Sequence, residues 1–161
     1  MLDTVLLWLL IALFAPLASA IFAGVFIRVK DKLFIGVICS VLVILSTIAS
    51  LTLMELVSEN RLISINLADF IGAGFLDVKF GFLIDSVSAV MMVVVGIVSS
   101  VVHVYSIYYM WEDEGFAKFF SFLGLFVFSM LVLVTSDNFL GLFIGWEGVG
   151  LCSWLLIGFW Y

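Results

Sequence analysis

Charge is what this 161-residue chain has least of: Asp, Glu, Lys and Arg make up 11% of it, against 66% hydrophobic and 16% aromatic residues. Soluble domains are roughly half apolar and a quarter charged, so a water-soluble domain is excluded. Six basic residues against twelve acidic ones exclude the positive surface of a nucleic-acid binder. A single proline and so few polar residues exclude a disordered tail. Cys39 and Cys152 each lie in an apolar run with no second cysteine nearby, so they argue for neither a disulfide framework nor a metal site. There is no G-x-G-x-x-G, no P-loop and no C-x-x-C, and one histidine stands where a haem bundle needs ligand pairs. What the chain does have is long apolar runs, and a lipid bilayer is the solvent that fits them.

Cutting at the charges leaves uncharged stretches at Thr4 to Ile27, Leu33 to Met54, Ser86 to Trp111 and Phe119 to Ser136, and a last stretch, Asn138 to Tyr161, with one charge. At about 1.5 Å per residue even the shortest covers roughly 27 Å of a hydrocarbon core of about 30 Å. The expectation is an all-α membrane protein in which residues 1–161 form one transmembrane domain of five helices. Ala18-Ser19-Ala20 looks like a signal-cleavage site, but nothing basic precedes it and the apolar run is too long, so the first span is read as retained. Pro16 falls mid-span, where a lipid-buried helix bends if a neighbour satisfies the carbonyl it frees.

Arg28, Lys30 and Lys32 crowd the link after the first span, which places that link inside by the positive-inside rule. Lys118 is then inside, Arg61 and Lys79 outside, the N-terminus outside and the C-terminus inside. The long outside connection, residues 55–85, alternates apolar and polar at Ile63-Ser64-Ile65-Asn66-Leu67 and at Val78-Lys79-Phe80. That is the period of half-buried strands, and with Gly72-Ala73-Gly74 between them it predicts an external β-hairpin with a turn longer than two residues.

Glu147 is the only acid or base within a span, about 15 Å from the start of its run and so near mid-depth. Inserting an acid there costs about 2.5 to 3.5 kcal/mol, which marks it as a candidate for handling protons rather than a mere protonated hydrogen-bonding group. All six basic residues lie in links or at helix ends, so a cation at its depth must come from sequence outside this chain. On a helical wheel Gly141, Gly145, Gly148 and Cys152 form a small-residue stripe for close helix packing, roughly 130° from the carboxyl. Leu140, Phe143, Leu151 and Trp154 share the face of Glu147. In the third span Gly96, Ser99, His103 and Ser106 form a polar stripe on which His103 reads first as packing and second as a proton relay. Asp85 and Asp137 precede apolar runs as helix N-caps do.

The run Gly145-Trp146-Glu147-Gly148-Val149-Gly150-Leu151-Cys152-Ser153-Trp154 and the residues after it to Tyr161 resemble the fifth-helix signature of the NADH-quinone oxidoreductase chain L family, subunit 5 in mitochondria. Phe80 to Ser88, His103 to Met110, Phe119-Phe120 and Asp137-Asn138 extend the resemblance over most of the chain. Tyr108 departs from it, standing where the family more often has glycine. The resemblance implies the N-terminal part of the antiporter-like subunit fold, in a proton-translocating subunit of the membrane arm of respiratory complex I. Glu147 matches the family's membrane glutamate, which pairs with a lysine on a later helix. NADH, FMN, iron-sulfur clusters and quinone would belong to other subunits, and no cofactor to this chain. Its partners would be the neighbouring antiporter-like subunit, the later helices that this chain lacks, and the bilayer of a bacterial inner membrane in preference to a mitochondrial one.

Two other functions fit the same residues. Subunits of multisubunit sodium/proton antiporters and membrane-bound hydrogenases share the Trp-Glu pair but usually lack the following Gly-Val-Gly-Leu-Cys-Ser. A non-catalytic scaffold would use the glycine and serine stripes for docking alone.

Overall fold

The computed structural model describes residues 2–27, 31–58, 62–73 and 76–160. Five helices, α1 (Leu2–Val25), α2 (Lys32–Ser58), α3 (Ser86–Tyr109), α4 (Phe116–Thr135) and α5 (Phe139–Ile157), are each long and apolar enough to cross a membrane. Two antiparallel strands, β1 (Ile63–Ala73) and β2 (Leu76–Ile84), form a hairpin between α2 and α3. The chain is an integral membrane protein of the expected class. Arg28, Lys30 and Arg61, which weigh in the orientation argument, lie outside the described residues.

Two of the helix ends fall elsewhere than at the charges. Helix α2 runs through Glu55 to Ser58, and α4 starts at Phe116, ahead of Lys118. A charged side chain near a helix end reaches the interface without ending the helix, whereas caps and hydrogen bonds do end it. Asp85 caps α3 in a full capping box: its Oδ1 accepts from the Ser88 N–H at 2.7 Å while Ser88 Oγ accepts from the Asp85 N–H at 2.8 Å. At α5 the cap is Asn138, not the expected Asp137. Asn138 takes the extended backbone directly before the helix and accepts from the Gly141 N–H at 2.9 Å. Asp137, one residue outside, accepts from the Asn138 amide at 2.6 Å.

The strands also run further than expected. Pairing continues to Ala73↔Leu76, so only residues 74–75, outside the described residues, separate them. The expected longer turn is corrected to a two-residue connection. Register shifts at Asn66/Ala68 and Asp69/Ile71 break the period-two pattern mid-strand, and this disguises the outer half of the hairpin.

Helix α1 packs on α2 and α4, α2 on α1 and α3, and α5 chiefly on α4. One apolar core, including Leu9, Leu13, Leu53, Phe82, Met92 and Leu131, fills the hairpin end, and a second, with Ile35, Cys39, Met110, Phe116 and Phe120, fills the other. Between them lies a belt of buried and half-buried polar groups. Ser46 Oγ donates to the Ala12 carbonyl at 2.5 Å, Thr47 and Ser100 share a hydrogen bond of 2.8 Å, and Ser121 donates to the Ala20 carbonyl at 2.9 Å. Close approach makes these contacts possible: a Cβ on Gly124 would lie 3.0 Å from the backbone of both Pro16 and Ala20. In lipid, where burial from water gives helices no reason to associate, such tight contacts and interhelical hydrogen bonds hold them together.

The hairpin is tied to the bundle at its base. Phe82 bridges to Ser136, and the Asp137 N–H donates to the Gly81 carbonyl at 3.3 Å. A Cβ on Gly81 would overlap the Asp137 carboxylate, so any larger residue there would push that side chain aside. At the opposite end Lys32 Nζ donates to the Trp111 carbonyl at 2.8 Å, joining the start of α2 to the α3–α4 link.

Candidate proton-handling site

Helix α5 is held by one side. A Cβ on Gly145 would come within 2.6 Å of the Leu133 backbone nitrogen, one on Gly148 within 2.6 Å of Ser129 Oγ, and one on Gly141 within 2.8 Å of Ser136 Oγ. With Cys152 fully buried, all four small residues of the stripe stand against or near α4. Seating that stripe turns the opposite side of α5 outward, and Glu147 is on it, exposed beside Phe143, Leu151 and Trp154. Leu140 is only partly covered on the same side. Gly150 is exposed too and would meet nothing within 4 Å if it carried a Cβ.

Glu147 is the ninth of the 19 residues of α5, so it stands at mid-helix. It has no hydrogen-bond or ion-pair partner among the described residues. Since Gly145 meets Leu133 and Gly148 meets Ser129, its level on α4 is near residue 130, which puts Lys118 about 18 Å further along. The other lysine whose contacts are described, Lys32, is committed to the link at the far end of the bundle.

His103 is not brought to Glu147. It is fully buried on the inner side of α3, its ring edge-on to Phe120 at a centroid distance of 5.8 Å. Its Nδ1 lies 2.9 Å from the Ser99 carbonyl, which can only accept, so Nδ1 carries the proton of that bond. Nε2 is buried with no partner among the described residues. Ser106 and Gly96 are buried on the same side, and the Gly96 position presses on Thr47 of α2.

The C-terminal end of α5 is fastened by a contact that sequence reasoning left out. Asp113, in the α3–α4 link, accepts from the Gly115 N–H at 2.6 Å and from the Trp160 indole N–H at 2.8 Å. These bonds, the indole first, together with the charge of Lys32, hold its carboxyl below the usual carboxylate range. The Phe159 ring covers Gly115, where a Cβ would lie 2.5 Å from it. No sequence motif announces this clamp, because its members come from the α3–α4 link and from the residues just after α5, more than forty residues apart. Among the described residues no three His, Cys, Asp or Glu side chains group to hold a metal.

Residues 70–120, from the hairpin through α3 into α4, match the family described as NADH-ubiquinone oxidoreductase (complex I), chain 5 N-terminus. Over 152 residues, 94% of this chain, it is 58% identical to the NADH-quinone oxidoreductase subunit L of Campylobacter jejuni subsp. jejuni. Over the residues it spans, the chain is similar to the N-terminal part of complex I subunit L and chain 5 proteins. Subunit L of Rickettsia conorii is 49% identical over 91% of the chain, and chain 5 of Dictyostelium discoideum 40% identical over 94%. The chain spans about a quarter of the length of these relatives: 24%, 22% and 23% respectively. The family match covers His103 and the Asp85 cap, while Glu147 lies beyond it.

Proposed function

We propose that this chain forms the N-terminal part of a proton-translocating membrane-arm subunit of an NADH-quinone oxidoreductase, in which Glu147 is the proton-carrying carboxyl. The observation that carries this reading is the placement of one carboxyl at the middle of a membrane-length helix, on the side that the small-residue stripe turns away from α4. A bare acid at that depth is costly unless protein, water or a cation meets it, so that face is where the rest of the subunit docks. The open glycine at Gly150 on the same side supports a close helix neighbour there.

A carboxyl in such a place changes proton occupancy when its electrostatic surroundings change. A cation brought near it on a later helix favours the charged form and releases a proton, and its withdrawal favours uptake. Electron transfer from NADH to quinone, on other subunits that hold the flavin, the clusters and the quinone, would supply the driving step. His103 is a low-ranking second site, and Gly141, Gly145, Gly148 and Cys152 are packing residues that aim Glu147. The neighbouring antiporter-like subunit and the remaining helices of the same subunit are the expected partners. The membrane is energy-transducing, a bacterial inner membrane in preference to a mitochondrial one. Its N-terminus is placed outside and its C-terminus on the cytoplasmic side, which puts the hairpin outside.

The test is Glu147→Gln in the complete assembly reconstituted into vesicles, with NADH oxidation and proton uptake recorded together. Glutamine keeps the size and hydrogen bonding while removing the proton step, so fewer protons per NADH are expected. Undiminished pumping at normal oxidation would refute the role.

A further inference from the structure

The C-terminal end of α3 carries a cluster with no part in the handling of Glu147. Tyr105, Tyr108, Tyr109 and Trp111 are all exposed, Tyr108 the most at 88%. With Glu112 they line one open cleft of about 460 Å³. The Tyr105 and Tyr109 rings stack at 5.7 Å, and Tyr109 also meets Trp160 at 6.1 Å. Lys32 holds the backbone of Trp111 through its carbonyl. Neither the three phenol hydroxyls nor the Glu112 carboxylate has a hydrogen-bond or ion-pair partner among the described residues.

The cleft continues a long outer face of α3. Val90, Val94, Ile97, Val98 and Val101 are exposed on that side, while Gly96, His103 and Ser106 are buried on the other. An aliphatic stripe that gives way to tyrosine and tryptophan at one end follows the change from acyl chains to headgroups in a bilayer. Four aromatic rings with a carboxylate at their rim suit a cation, because ring faces and carboxylate both attract positive charge. At the level of the headgroups, beside an aliphatic helix face, that cation is a lipid ammonium.

We propose that this cleft binds the headgroup of a zwitterionic phospholipid. The ammonium sits against the rings and the Glu112 carboxylate, the tyrosine hydroxyls donate to phosphate or ester oxygens, and an acyl chain lies along the valine stripe. Charge complementarity selects the headgroup. An anionic lipid without an ammonium would bring net negative charge and no cation to Glu112, and Glu114 adds to the repulsion. The proposal stands or falls independently of Glu147.

The complete assembly, delipidated in detergent, is titrated with phosphatidylethanolamine, phosphatidylcholine or phosphatidylglycerol, and bound lipid is counted by native mass spectrometry. Both zwitterionic lipids should be retained over phosphatidylglycerol. The double variant Glu112→Gln, Tyr108→Leu should lower their retention by roughly tenfold and leave phosphatidylglycerol unchanged. Equal retention of all three lipids, or a double variant that behaves as the parent, overturns the proposal. A benzophenone side chain introduced at Tyr108 gives a reading that does not depend on the variants assembling. Illumination in the native membrane should label lipid, and a crosslink to polypeptide would show the cleft covered by protein and overturn it.

Discussion

Ser46 completes the hydrogen bond that Pro16 removes. Proline has no N–H, so the carbonyl four residues earlier in α1, that of Ala12, loses its helical donor. The Ser46 hydroxyl of α2 reaches that carbonyl at 2.5 Å, with Ser46 and Ala12 both buried. A kink that would leave a bare carbonyl in a dry interior becomes a point of attachment between two helices.

This pairing predicts coupling between the two positions. Ser46→Ala should destabilise the bundle by about 1 kcal/mol, within the range of interhelical hydrogen bonds in membranes, by stranding the Ala12 carbonyl. In a Pro16→Ala background the restored N–H takes that carbonyl, and the cost of Ser46→Ala should fall by more than half. Denaturation in mixed micelles of the four proteins of the cycle gives the coupling directly, and a cost equal in both backgrounds would contradict it.

The glycines of α5 should differ sharply according to the side they occupy. Gly145→Ala places a methyl against the backbone of Leu133, which cannot swing aside as a side chain would, and should cost about 1 to 3 kcal/mol in α4–α5 association. Gly150→Ala meets nothing among the described residues and should be neutral or slightly stabilising in the 161-residue chain reconstituted in bicelles. A loss of function from Gly150→Ala confined to the complete subunit would then report the helix that docks on the Glu147 face. Thermal unfolding of the chain, compared with activity of the assembly, separates the two.

Asp85 gives the α3 cap a pH dependence of known sign. The Ser88 N–H and hydroxyl hold its carboxyl below the ordinary value, so the ionised cap stabilises the folded state. That contribution is complete above the unfolded pKa of about 3.9 and is lost as pH falls through the lower folded value. Asp85→Ala should therefore cost about 1 kcal/mol at pH 6 and progressively less in strong acid. Melting temperatures across that range test it, and a penalty that grows on acidification would have the wrong sign.

The Asp113 clamp predicts a spectroscopic shift. Its largest support is the Trp160 indole, so Trp160→Phe should bring the Asp113 carboxyl back toward the usual range while Gly115 and Lys32 retain part of the depression. Carbon-13 titration of the aspartate carboxyls reads this without reference to activity. An unmoved resonance would mean that the indole does not hold the carboxylate in the membrane-bound protein.

Much of this architecture was legible because lipid imposes simple rules. An uncharged run of membrane length has to be a helix, and a glycine stripe has to face another helix if it is to matter. The extent of the hairpin was less so, since the bulges at Asn66/Ala68 and Asp69/Ile71 interrupt the alternation on which strand recognition depends. Asp137 and Asn138 are both capable caps, and only the backbone at the start of α5 chooses between them. The service of Ser46 to Pro16 and the clamp of Asp113 on Trp160 were invisible, because which hydroxyl or carboxylate arrives at a given place is decided by packing between helices distant in sequence. Glu147 stood out at once for the opposite reason: a lone acid in an apolar run needs no partner in sequence to be conspicuous.

The tie between Gly81 and Asp137 also orders the steps of biogenesis. Strand β2 leaves the ribosome before α4 and α5 exist, so at first its base can pack on α1, α2 and α3 but lacks its hydrogen-bonded partner. The Phe82–Ser136 bridge and the hydrogen bond from the Asp137 N–H become available only once α4 and the link that follows it have been made. The hairpin thus gains its hydrogen-bonded tie from residues made after it, on top of the apolar contacts that Phe82 and Ile84 share with the earlier helices.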